Sequence, residues 1–194
     1  MIHSIVQYGH PVLRQKGAEV RKVTEAMRKL AGEMIETMHA ARGVGLAAQQ
    51  VGRAIQMTVI DVRESERPSQ LFVGVREALV DAVMPMVLLN PKITQREGEE
   101  LGGEGCLSFP GISAEIPRAI TVHVSAMDLS ERPFQFVATG FLARALQHEI
   151  DHLNGVLFID RMLSEARKAL EETLRAMEKE TLAKLKIGKR ERRR

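Results

Sequence analysis

From Thr24 the apolar positions Met27, Leu30, Met34, Ile35 and Met38 recur at intervals of three and four, the stripe of an amphipathic helix. Thr24 suits the N-cap of that helix and Gly43 its stop. A second stretch, from Thr139 to about Asn154, repeats the period with Leu142, Ala145, Leu146, Ile150 and Leu153 and closes at Gly155. A third runs from Ser164 to about Lys186, with Ala166, Leu170, Leu174, Met177 and Leu185 on one stripe. Between the first two helices the period shortens to β-rich runs at Gln56 to Val62, Val87 to Leu89 and Ala119 to Met127. Helices segregated around a block of neighbouring strands predict an α+β fold rather than alternating βαβ units. The span from Glu64 to Pro85 breaks the pattern, with a loop at Ser65 to Ser69 and a short helix within Val75 to Val83, and is expected to be a surface insertion.

Length turns this pattern into one unit: 194 residues against a prior of about 150 per domain. The expectation is one domain over residues 1–186, including the C-terminal helix, followed by a basic tail over 187–194. Apolar residues make up 44% and charged residues 27%, which excludes a disordered chain. The longest apolar run, Ala82 to Leu89, is interrupted by Pro85 and falls far short of the ~18 residues of a bilayer span. No membrane partner is expected. The first residues lack the basic and apolar stretches of a secretory signal, so the cytoplasm is the expected location. Cys106 is the single cysteine, which rules out an intrachain disulfide. The net charge of +3 belongs to the end of the chain. Lys184, Lys186, Lys189, Arg190, Arg192, Arg193 and Arg194 lie there against Glu191, and the rest of the chain is net negative. No DNA partner is expected, because the body has no basic excess to attract phosphate.

Three segments carry candidate chemistry. His148-Glu149-Ile150-Asp151-His152 lies within the second helix. Helical positions four apart differ by only ~40°, so both imidazoles leave one face and can share a metal ion, with Glu149 beside them as a proton carrier. The competing reading is two half-buried, hydrogen-bonded helix histidines. A third ligand is available at Cys106, inside Gly102-Gly103-Glu104-Gly105-Cys106-Leu107-Ser108, where glycines let backbone approach a site closely. One Cys and two His would leave one position open, the mark of a catalytic ion. Taken alone, Cys106 also reads as a small buried hydrophobe. The third segment, Gly43-Val44-Gly45-Leu46-Ala47-Ala48-Gln49-Gln50, is a helix stop and tight turn whose final Gln can donate to a developing oxyanion.

In this order, GVGLAAQQ, EGCLS and QHEIDHLNG resemble the three motifs of the peptide deformylase family, GxGxAAxQ, EGCLS and QHExDHLxG. The surroundings of Tyr8 to Arg14, Leu89 to Pro91 and Val156 to Phe158 are also similar, so the resemblance covers most of the chain. It implies antiparallel or mixed sheets around a central helix carrying the HExxH motif, with a C-terminal helix. It implies Cys106, His148 and His152 as ligands of one divalent metal, Fe²⁺ by preference with Zn²⁺, Ni²⁺ or Co²⁺ as substitutes. Glu149 becomes the general base, and Gln50 and the Leu107 N–H the oxyanion donors. Val44, Phe141, Ala145 and the His148 ring would receive the methionine side chain, and Gly45 would pair with substrate backbone. The implied reaction is hydrolysis of the formamide on the N-formylmethionine of new polypeptides, releasing formate. Some bacterial members dock on the ribosome through the C-terminal helix, which makes the basic tail a candidate for contact with ribosomal RNA.

Two features depart from the pattern: the span 64–85 is longer than the corresponding connection, and Ser113 stands where an Arg is common. An ion pair between Glu104 and Arg118 is expected to brace the Cys106 strand. A metallopeptidase of the HExxH class and a non-catalytic metal- or RNA-binding relative are the alternative readings.

Overall fold

A computed structural model describes residues 1–191 of the chain. Its strands are β1 (Gly45–Ala47), β2 (Met57–Ile60), β3 (Ser69–Val73), β4 (Arg76–Ala78), β5 (Met86–Glu97), β6 (Glu100–Gly105), β7 (Ser113–Arg118), β8 (Thr121–Met127) and β9 (Pro133–Thr139). Its helices are α1 (Glu25–Ala40), α2 (Val80–Val83), α3 (Gly140–Leu153), α4 (Ser164–Ala169) and α5 (Glu171–Glu191). Seven strands form one sheet in the order β1-β2-β5-β8-β9-β3-β4, and β6 and β7 form a separate hairpin. Every ladder pairing of these strands is antiparallel. The α+β expectation holds, and among the described residues no helix is long and apolar enough to cross a membrane.

The elements form where the pattern puts them, with informative shifts. Thr24 caps α1, its Oγ1 accepting from the Met27 N–H at 3.3 Å. In β8 the residues Val122, Val124 and Ala126 are buried and those between them half-buried, the two-residue alternation of a strand covered on one face. β9 has the same alternation, with Phe136 and Ala138 inward, and was not among the expected strands. The third helix divides at Leu170 into α4 and α5. No Gly or Pro marks that break; Leu170, Leu174 and Met177 turn inward onto Phe109 and Phe158 in a small separate core, so packing sets it.

The span 64–85 is not a mere surface insertion. β3 pairs with β9 and β4 with β3, so the segment extends the main sheet at its far edge. Only α2 remains of the short helix expected there.

The centre of the molecule is α3. Every residue from Leu142 to Leu153 is buried, and the helix lies against β1, β2 and β3. Leu142 and Leu146 are fully buried in the larger core, and burial of each contributes roughly 2 kcal/mol. That packing holds the HEIDH segment rigidly, which a catalytic constellation requires.

Candidate active site

Three segments distant in sequence converge beside α3. His148 and His152 stand one turn apart with ring centroids 5.0 Å from each other. Cys106 follows the last residue of β6, and its Sγ lies 3.3 Å from His152 Nε2. Ligand atoms of Cys106, His148 and His152 all fall within 4.8 Å of one another. A tetrahedral ion with ordinary sulfur and imidazole bond lengths separates those donors by about 3.6 Å, so the three residues fit a single ion. His148 Nδ1 is engaged by Glu104 Oε2 at 3.0 Å, which leaves Nε2 as its ligand atom. Burial and the neighbouring His148 hold the pKa of His152 well down, so its lone pair is available.

Glu104 is the hub of the support. Its Oε1 accepts from Arg118 Nε at 2.9 Å and from Arg144 Nη1 at 2.9 Å, and its Oε2 from Arg118 Nη2 at 3.0 Å. Burial alone would raise this carboxyl, but hydrogen bonds from His148 and Arg118 prevail and hold it at about 2. Arg118 also donates to Asp151 Oδ2 at 2.5 Å, and Arg161 holds Asp151 from outside. The expected Glu104 and Arg118 pair is therefore present. Nothing in the sequence marks a supporting role for Arg144 or Asp151, because a charged helix position reads as solvent-facing unless its partner is known.

Glu149 is buried, its Oε2 has no hydrogen-bond partner among the described residues, and burial pushes its pKa up to about 7. A carboxyl so placed can take and return a proton near neutrality. Gln50 Oε1 accepts from the Ala47 N–H at 2.9 Å, which orients Nε2 toward Ser108 Oγ at 3.3 Å and Cys106 Sγ at 3.6 Å. Among the described residues the Leu107 N–H bonds to no other group.

These groups open onto a cavity of about 660 Å³. Val44, Gly45, Phe141 and Ala145 line it together with Gln50, Cys106, Leu107, His148 and Glu149, while His152 is buried behind. Ser113 and Arg67 line it too. Arg67 comes from the span 64–85 and places its guanidinium carbon 4.3 Å from the centroid of the Phe141 ring, so that span reaches the cavity wall.

A family model of polypeptide deformylase matches residues 2–168. The chain belongs to that family. The peptide deformylase of Methylacidiphilum infernorum is 45% identical over 174 residues, 90% of this chain and 92% of the relative. That of Opitutus terrae is 43% identical over 186 residues, 95% and 97% of the two chains. Among solved structures, the Thermus thermophilus deformylase superposes with a TM-score of 0.77 at 37% identity, covering 95% of this chain and 99% of its own. The Synechococcus elongatus deformylase in complex with actinonin gives 0.73 at 39% identity, covering 87% and 84%. The chain is thus a metal-dependent amidohydrolase that removes the N-formyl group from nascent peptides. The Cys106, His148 and His152 cluster could hold its metal.

Proposed function

We propose that deformylation in this chain runs on one divalent ion held by Cys106, His148 and His152, with Glu149 carrying the proton and Gln50 and Leu107 holding the oxyanion. The observation that carries this reading is the convergence of the three ligand atoms within 4.8 Å beside an unpartnered buried carboxylate oxygen. When bound, the ion supplies Lewis-acid polarisation and lowers the pKa of water at the site. Glu149 accepts a proton from the attacking water, whose oxygen bonds to the formyl carbon. The Gln50 side-chain N–H and the Leu107 backbone N–H donate to the oxygen that becomes negative. Glu149 then delivers the proton to the departing amine as the carbon–nitrogen bond breaks, leaving formate and a free amino terminus.

The substrate enters along β1. That strand is an edge of the main sheet, so an extended peptide can pair with it at Gly45. Val44, Phe141, Ala145 and the His148 ring then surround the methionine side chain. The mixed thiolate and imidazole donors suit Fe²⁺, the ion proposed for the native enzyme, and also Zn²⁺, Ni²⁺ and Co²⁺. Residues 1–186 act as the catalytic unit in the cytoplasm, where formylated chains emerge.

The basic tail is proposed to contact ribosomal RNA. Arg192, Arg193 and Arg194 lie outside the described residues, so this part rests on charge alone. Co-sedimentation with ribosomes should fall when residues 184–194 are deleted; unchanged co-sedimentation would contradict it.

An N-formylmethionyl tripeptide separates the enzyme readings. The expected result is stoichiometric formate and new amino termini with intact peptide bonds. Internal cleavage of an unformylated peptide would instead support the metallopeptidase reading.

A further inference from the structure

Among the described residues Arg144 is the largest fully buried side chain, at 1% exposure, and it sits one helical turn before His148. Its guanidinium reaches out of α3 into the β6–β7 hairpin. Nη1 donates to the carbonyl of Gly102 at 3.2 Å and to that of Ile116 at 2.8 Å, and Nη2 to that of Glu100 at 3.0 Å. Nη1 also meets Glu104 Oε1 at 2.9 Å. One side chain thus holds both strands of the hairpin and the carboxylate that orients His148.

Gly102 belongs to the same arrangement. A Cβ at that position would stand 2.8 Å from the Arg144 guanidinium carbon, so the glycine is the opening through which Arg144 passes under β6. The metal site gives no reason for it.

We propose that Arg144 is a positioning residue that fixes the β6–β7 hairpin against α3 and thereby sets where Cys106 stands relative to His148 and His152. The hairpin carries Cys106 at the end of β6, and α3 carries both imidazoles. These two pieces pair with no common strand, since β6 and β7 lie outside the main sheet. Their relative position depends on side-chain bonds. Arg118 supplies one link, from β7 to Asp151. His148 supplies a second, to Glu104, and Gln147 a third, to the backbone of Ala119 just after β7. Arg144 adds a fourth, at the cavity, which ties both strands and the carboxylate together. Removing it leaves Glu104 with a single cation and frees three backbone carbonyls, so the hairpin can move and the thiolate with it. The planar fork matters, because it spreads its donors over two nitrogens, whereas the three N–H groups of a lysine ammonium diverge from a single point.

The proposal rests on the reading of Cys106, His148 and His152 as ligands, and the test separates the two. The full chain is stripped of metal and titrated with Co²⁺ alone, following affinity and the thiolate-to-cobalt charge-transfer band, for wild type, Arg144→Met, Arg144→Lys and Gly102→Ala. Arg144→Met and Gly102→Ala should bind Co²⁺ at least about tenfold more weakly with a weakened or shifted thiolate band, and Arg144→Lys should recover only part of the loss. If Arg144→Met does not fold, Gly102→Ala decides, since it displaces the guanidinium without deleting it. A folded variant with wild-type affinity and band, whatever its melting temperature, would overturn the proposal. Wild type that binds Co²⁺ with no thiolate band would overturn the ligand reading beneath it.

Discussion

Gly45 lies directly beneath the carboxyl of Glu149: a Cβ on residue 45 would stand 2.7 Å from Glu149 Cδ and 2.8 Å from Cγ. The strand proposed to receive substrate and the carboxyl proposed to carry the proton are thus in contact through the absence of a side chain. Gly45→Ala should push Glu149 aside while leaving the three ligands in place. Formate release is expected to fall by about a hundredfold with metal content near wild type, since small misplacements of a catalytic group are costly. Full metal and full activity in this variant would show that the contact is harmless.

Phe141 forms one wall of the cavity and carries the Arg67 guanidinium on its face. Phe141→Ala should widen the pocket and loosen that cap. The expected effect is a higher KM for formylmethionyl peptides and a roughly tenfold smaller preference for formylmethionine over formylphenylalanine, measured as a ratio of kcat/KM. An unchanged ratio would remove Phe141 from the specificity wall.

Asp61, just after β2, is buried and accepts two side-chain bonds from Arg63, at 2.9 and 2.6 Å, and one from His39 at 2.9 Å. The Arg63 bonds outweigh the opposing effect of burial and, with the His39 bond, bring its pKa from 3.8 to about 2. A carboxyl depressed in the folded state stabilises above its unfolded value and loses that contribution as pH falls through its folded one. Asp61→Asn should therefore lower stability at pH 7 by about 1–2 kcal/mol, allowing for screening at the half-exposed Arg63. Its deficit should shrink between about pH 4 and pH 2. Chemical denaturation across that range checks it, and a deficit independent of pH would contradict the assignment.

Much of this was readable from residue spacing. α1 began at the cap Thr24 supplies and the HEIDH helix fell at Gly140–Leu153, because local capping and periodicity act within one element, whereas α1 ended at Ala40, ahead of Gly43, with Arg42 taking the positive φ. The motif residues then met in one cavity, although nothing in periodicity alone joins Gly45, Cys106 and His148. Tertiary effects escaped the reading. Leu170 ends α4 without a helix breaker because the core at Phe109 and Phe158 draws the next turn inward. The span 64–85 suggests a loop and a short helix because its strands are short and the turn residue between them, Val75, is almost fully exposed, yet β3 finds its partner in β9, more than sixty residues later. The glycines before Cys106 suggest close approach of backbone to a site, and at Gly102 the space is taken by the Arg144 guanidinium instead.

The central claim is that Glu149 carries the proton at a metal held by Cys106, His148 and His152. Formate release from an N-formylmethionyl peptide should be measured with protein purified without oxygen, beside Glu149→Ala with its metal content determined. The expected result is release by wild type and its loss in the variant while the metal stays bound. Release that persists in a fully metallated Glu149→Ala enzyme, or none from metal-loaded wild type, would contradict it.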